Sequence, residues 1–207
     1  EAIGVPSGVG QAKQASQLLL GLIQSNAIPD PDEAIQTAIV LPDETLLMPL
    51  LYSIPPEIGK INVTMGYSLS NASIAYLIDL IAQLQKSARG EEGTFTFYHR
   101  HVKALLAHPL ISGAAQEEAE ALGQAVIARN LNRVGEADIP PHPLFEKLFT
   151  PVTGWQDVGE YLKSILTALY QSLTGERMSE ERPEGSVRAI DLEREFIVQC
   201  YKAISRL

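Results

Sequence analysis

The chain has 207 residues, 45% of them hydrophobic and 20% charged, which is a globular composition long enough for one or two domains. Its net charge of −9 argues against strong autonomous DNA binding, which draws most of its affinity from phosphate neutralisation, but leaves room for a local basic groove. No run approaches the roughly 18 apolar residues of a membrane span, and the single cysteine, Cys200, excludes an internal disulfide and points to a reducing, cytoplasmic setting.

Taken in order, Glu1 to Pro6 reads as a short first strand. Gln11 to Gln24 reads as a helix with Ala12, Ala15, Leu18, Leu19, Leu22 and Ile23 along one side. Pro29 and Pro31 mark a loop, and Ala38-Ile39-Val40-Leu41 is a short apolar run suited to a strand buried on both faces. Asp43 can cap a following helix built on Leu46, Leu47, Leu50 and Leu51, which Pro49 should end or kink early. Ile61 to Met65 reads as another strand, and Gly66 turns the chain toward a long helix capped by Ser70 or Asn71. Alternation of strand and helix favours an α/β fold, a small parallel sheet with flanking helices.

A polar break at Gly90 to Gly93 marks the expected boundary between an α/β domain over 1–90 and an all-α domain over 91–207. Helices are expected at Tyr98 to His108, with His108 as a C-terminal cap, and at Ala114 to Asn130. Arg133 to Pro143 is irregular, since Pro140, Pro141 and Pro143 forbid a helix interior. Thr153 and Gln156 form a capping box for a helix with the stripe Val158, Tyr161, Leu162, Ile165, Leu166, Leu169 and Leu173. Glu176 to Gly185 is a charged loop, and Val187 to Ile204 is the last helix.

Chemical motifs are few. The glycine-rich run Gly4 to Gly10 lacks the lysine and hydroxyl residue of a phosphate loop, because Gln11 and Ala12 follow, and reads as a tight loop before a helix. Asp43, Glu57 and Lys60 nearly spell a magnesium nuclease signature, but two residues separate Glu57 from Lys60 and Asp43 is better explained as a cap. No catalytic triad, metal motif or cofactor motif is present, and no cofactor is expected. Arg100, His101 and Lys103, with His99 beside them and Phe95, Phe97 and Tyr98 before them, form the one basic cluster with neighbouring aromatics. A solvated helix face is the simpler account of those cations. Asn62, Thr64, Tyr67 and Ser70 occupy the place where open parallel sheets put functional loops.

The order of LPDE, a leucine helix, SIP, NVTMGY and an apolar helix over Thr37 to Leu84 resembles the helicase-like region of bacterial AddB/RecB-type helicase-nucleases of the PD-(D/E)XK nuclease superfamily. FTFYHRHVKALLAHP, from Phe95 to Pro109, resembles the segment that opens a helical insertion in that family. The resemblance implies a helicase motor-like partial domain, followed by an insertion-like helical domain. It also implies an excised piece of a longer exodeoxyribonuclease, matching a start at Glu1 and an end inside a helix. The implied role is non-catalytic: bracing or guiding single-stranded DNA or a duplex end, with a partner subunit and a separate nuclease domain. Pro42-Asp43-Glu44 stands where active relatives often carry an arginine. The alternative is an acidic protein–protein scaffold that never touches DNA.

Overall fold

The computed structural model describes residues 3–30, 37–59, 61–90, 94–174 and 189–206. Contacts divide the chain into two compact units, one of Glu1–Asn71 with Arg182–Glu193, the other of Ala72–Glu181 with Arg194–Leu207.

In the first unit, α1 (Gly8–Gln24) packs on α2 (Leu47–Ser53). Ser7 caps α1 by accepting from Gly10 N at 3.0 Å. A Cβ on Gly10 would come within 3.0 Å of both Ser7 Oγ and Val5 Cγ1, so the glycine lets the cap close. The run is a helix start, as its missing lysine implied. Asp43 caps the 3-10 turn Glu44–Leu46 that leads into α2, accepting from Thr45 N at 2.9 Å and Thr45 Oγ1 at 2.7 Å. Pro49 does not end α2. It lies in the first turn, where its missing N–H would have had no intrahelical acceptor, and the helix runs on to Ser53.

The expected parallel sheet is absent from the described residues, and with it the α/β, helicase motor-like reading of this region. Ile3 to Pro6 forms no strand. Ala38 to Leu41 is irregular and open to solvent, with Val40 86% exposed, the opposite of a strand buried on both faces. Ile61 to Met65 keeps the two-residue alternation of burial, half-buried Ile61, Val63 and Met65 against exposed Asn62 and Thr64, but pairs with no other strand. Apolar runs satisfy their backbone groups as strands only when a neighbour supplies the ladder. Among the described residues neither run has that neighbour.

The second unit is mostly helical. Its helices are α3 (Ser73–Lys86), α4 (His99–Leu106), α5 (Pro109–Ala114), α6 (Gln116–Ala128), α7 (Pro143–Leu148), α8 (Val158–Thr174) and the main part of α9 (Ala189–Ile204). Its one described sheet is antiparallel: β1 (Thr96–Tyr98) pairs with β2 (Arg133–Gly135), Phe97 opposite Val134. The core is continuous along α3 (Ile74, Leu77, Leu80, Ile81, Leu84) and meets α4 through Val102 and Leu105. Leu144, Phe145 and Leu148 of α7 face Tyr161, Ile165 and Leu169 of α8. Burial of such side chains contributes about 1.5–3 kcal/mol each. Only two ion pairs occur among the described residues, Arg129–Asp138 and Glu160–Lys163, and each has one exposed partner, so apolar packing dominates.

Helix ends differ from expectation in instructive ways. His108 is no C-terminal cap: it is 3% exposed and caps the start of α5, Nδ1 accepting from Leu110 N at 3.3 Å. That bond leaves the proton on Nε2, which donates to Ser73 O at 3.1 Å and so ties α5 to the first residue of α3. His142 repeats the device at α7, accepting from Leu144 N at 3.2 Å, with Pro143 as the first helical residue. The caps expected at Ser70 or Asn71 and at Thr153 are not formed. Ala72 precedes α3, and Gly154 opens a 3-10 turn, Trp155–Asp157, ahead of α8. The charged loop at Glu176 to Gly185 lies outside the described residues.

Gln85 of α3 joins α7, α8 and the chain between them. Its Nε2 donates to Thr150 O at 2.9 Å and Tyr161 Oη at 2.6 Å, its Oε1 accepts from Val152 N at 3.1 Å, and Tyr161 Oη donates to Leu148 O at 2.8 Å. Burial pushes the Tyr161 phenol well above its ordinary 10.0. Above pH 10 the unfolded chain therefore loses this proton first and binds fewer protons than the folded one, so stability falls as pH rises. Tyr161→Phe should cost about 1–2 kcal/mol at neutral pH, and its stability should fall less steeply above pH 10 than that of the parent chain, a difference that urea melts at pH 7 and pH 10.5 would show.

Candidate functional site

The strongest candidate lies at the head of α4. Arg133 of β2 sets it in place, with Nε donating to Thr96 Oγ1 at 2.8 Å and the guanidinium reaching Thr96 O at 2.6 Å and Ser87 O at 2.7 Å. Ser87 Oγ in turn accepts from Tyr98 N at 3.1 Å. Gly90, ahead of β1, has a φ of +135°, and a Cβ added there would lie 2.6 Å from Thr94 O, so a side chain is excluded. The strand thus ends firmly at Tyr98, and α4 begins at His99.

Asn132 O accepts from both His99 N at 3.3 Å and His99 Nδ1 at 3.0 Å. The Tyr98 ring meets His99 edge-on at 4.7 Å and His101 at 5.7 Å between centroids. Arg100 and Lys103 are exposed and three residues apart, hence on one side of the helix. Phe95 is half-buried and Phe97 is core, so of the three aromatics only Tyr98 packs against the basic side chains through its ring. None of Arg100, His101 and Lys103 pairs with a carboxylate among the described residues. The first turn of α4 carries no acidic residue, and Tyr98 supplies no side-chain acceptor to it.

The other candidates belong to the first unit. Asn62, Thr64 and Ser70 are exposed; Ser70 Oγ lies 2.7 Å from Ser68 Oγ. Tyr67 is half-buried and donates to Asn71 O at 3.1 Å, and burial followed by the nearby Glu193 and Glu44 raises its phenol above the ordinary value. These four share a loop without the sheet edge expected to display them. Arg133, missed in the sequence, is the residue that orients the basic cluster. Its position in an irregular, proline-rich stretch gave no sign of a strand partner.

Asp43 serves as a cap, and Lys60 lies outside the described residues. Among the described residues no group of three His, Cys, Asp or Glu side chains is placed to share a metal ion, and no helix is long and apolar enough to cross a membrane. Comparison of the chain with family models, curated proteins and solved structures gives no match.

Cys200 is buried on α9, and desolvation pushes its thiol up, away from the reactive thiolate form. Ellman's reagent at pH 8 should label native protein at least ~100-fold more slowly than urea-unfolded protein, because reaction requires opening of the helix packing.

Proposed function

We propose that the chain is a non-catalytic segment of a DNA repair and recombination helicase-nuclease, and that it braces or guides DNA beside a separate PD-(D/E)XK nuclease domain. The reading starts from the sequence resemblance at 37–84 and 95–109. It does not include a motor-type parallel sheet. The observation that supports it is the placement of Arg100, with His99 and His101, on the first turn of α4. The Arg100 guanidinium at that positive helix end costs about 0.3–1 kcal/mol, a cost reversed when an anion sits there. Phosphate oxygens are suited to such a position, and an exposed Lys103 one turn along continues the charge. In this role the chain works in the cytoplasm, with DNA and a second helicase-nuclease subunit as partners and no cofactor of its own.

The second reading is an acidic protein–protein scaffold, favoured by the net charge of −9. Fluorescence anisotropy with a labelled oligothymidine at about 50 and about 200 mM salt separates the two. The DNA reading expects weak binding that fades steeply with salt. Arg100→Glu with Lys103→Glu should raise Kd about tenfold or more and lower the salt slope by about 1.4, or about 0.7 for each phosphate that is no longer neutralised. No binding at the lower salt would leave the scaffold reading in place.

A further inference from the structure

A second concave site in the helical unit carries the opposite charge. It is a groove of about 590 Å³ bounded by the loop before α7, by α7 itself and by the segment before α8. That volume is within the roughly 300–1,000 Å³ of ligand clefts. Phe95, Ile139 and the edges of Phe145 and Phe149 give it an apolar floor, while Glu136 and Glu146 are exposed at its sides.

Its hydrogen-bonding character is one-sided. Pro140, Pro141 and Pro151 line it and have no backbone N–H to offer. The Thr150 hydroxyl donates back to Glu146 O at 2.6 Å and so presents only lone pairs. Among the described residues no Lys, Arg or His lines the groove, and neither Glu136 nor Glu146 forms an ion pair. The Thr153 hydroxyl is the one side-chain donor among the described lining residues that is not already committed, so the surface offers mainly apolar area and acceptors. What complements it is a ligand rich in donors, positively charged, with a bulky apolar side chain beside the charge.

We propose that this groove docks a partner protein through a short segment in which arginine alternates with large aliphatic residues. The apolar side chain fills the floor between Phe95 and Ile139, and the guanidinium donates to Glu136 or Glu146. Arginine suits the position better than lysine because its planar head is more weakly hydrated and carries five donors. The site is independent of the cationic head of α4, and it stands whether or not the chain contacts DNA.

The test is fluorescence polarisation with a dye-labelled pentapeptide of alternating leucine and arginine. Its controls are the same peptide with glutamate for arginine and with serine for leucine. Saturable binding by the leucine–arginine peptide alone is expected. Glu136→Gln with Glu146→Gln should weaken it about tenfold or more, while Glu57→Gln with Glu117→Gln, which removes equal charge elsewhere, should leave it unchanged. All four carboxylates are at the surface, so folding is not at stake. The proposal is overturned if the peptide does not bind, if both variant pairs weaken it equally, or if the serine peptide binds as well. The last two outcomes would mean diffuse attraction to an acidic protein.

Discussion

The helical unit depends on how three helices share one polar side chain. Between α7 and α8 the chain runs from Leu148 to Val152 beside the core, where Leu148 and Phe149 are buried. Its carbonyls at Leu148 and Thr150 and its N–H at Val152 need partners that a helix would otherwise provide. Gln85, reaching from α3, supplies them through one amide, and Tyr161 of α8 completes the set. An amide offers both donor and acceptor at one end, which neither a carboxylate nor an amine can do. The arrangement can form only when α3, α7 and α8 are all present, so the link between segments more than sixty residues apart is cooperative.

Much of the helical unit was legible because its signals are local. The stripe on α8 and the apolar face ahead of Pro109 require only a helical period, and Val102, Leu105, Leu106, Tyr161, Ile165, Leu166 and Leu169 are buried as that period implies, whereas Leu162 and Leu173 are half-buried and Val158 is exposed. Helix caps were less legible. His108-Pro109-Leu110 and His142-Pro143-Leu144 are the same tripeptide used in the same way, a ring nitrogen as cap, proline first, leucine buried second. The repeat is visible in the sequence, but a histidine's charge draws the eye before its capacity to accept a bond.

The strands failed for a different physical reason. A strand is defined by its neighbour, and the apolar content of Ala38 to Leu41 says nothing about whether a neighbour exists. Among the described residues none does, and Ile39 and Val40 remain in solvent. The two strands that do form were missed: Thr96–Tyr98 merges into the approach to α4, and Arg133–Gly135 lies in a stretch that reads as irregular. Three residues are too few to show a period, and the pair is held as much by the Arg133 guanidinium as by its ladder. The candidate basic residues are named by composition alone; their mutual orientation follows from that unseen pair.

Net charge and local charge therefore argue separately. At physiological ionic strength interactions between exposed charges fade over about 8 Å, so an excess of carboxylates elsewhere on the chain does little to silence Arg100 and Lys103. The same screening keeps Glu136 and Glu146 from acting on the head of α4 except at short range. On the proposed readings an anion at α4 would meet helix-end N–H groups and a guanidinium, and a cation at the groove would meet carboxylates beside prolines that have no N–H. A sum of −9 describes neither encounter. Composition predicts behaviour on an ion-exchange column, whereas local contact depends on a few residues, among them those at helix starts, where backbone polarity is left over and side-chain charge either opposes or completes it.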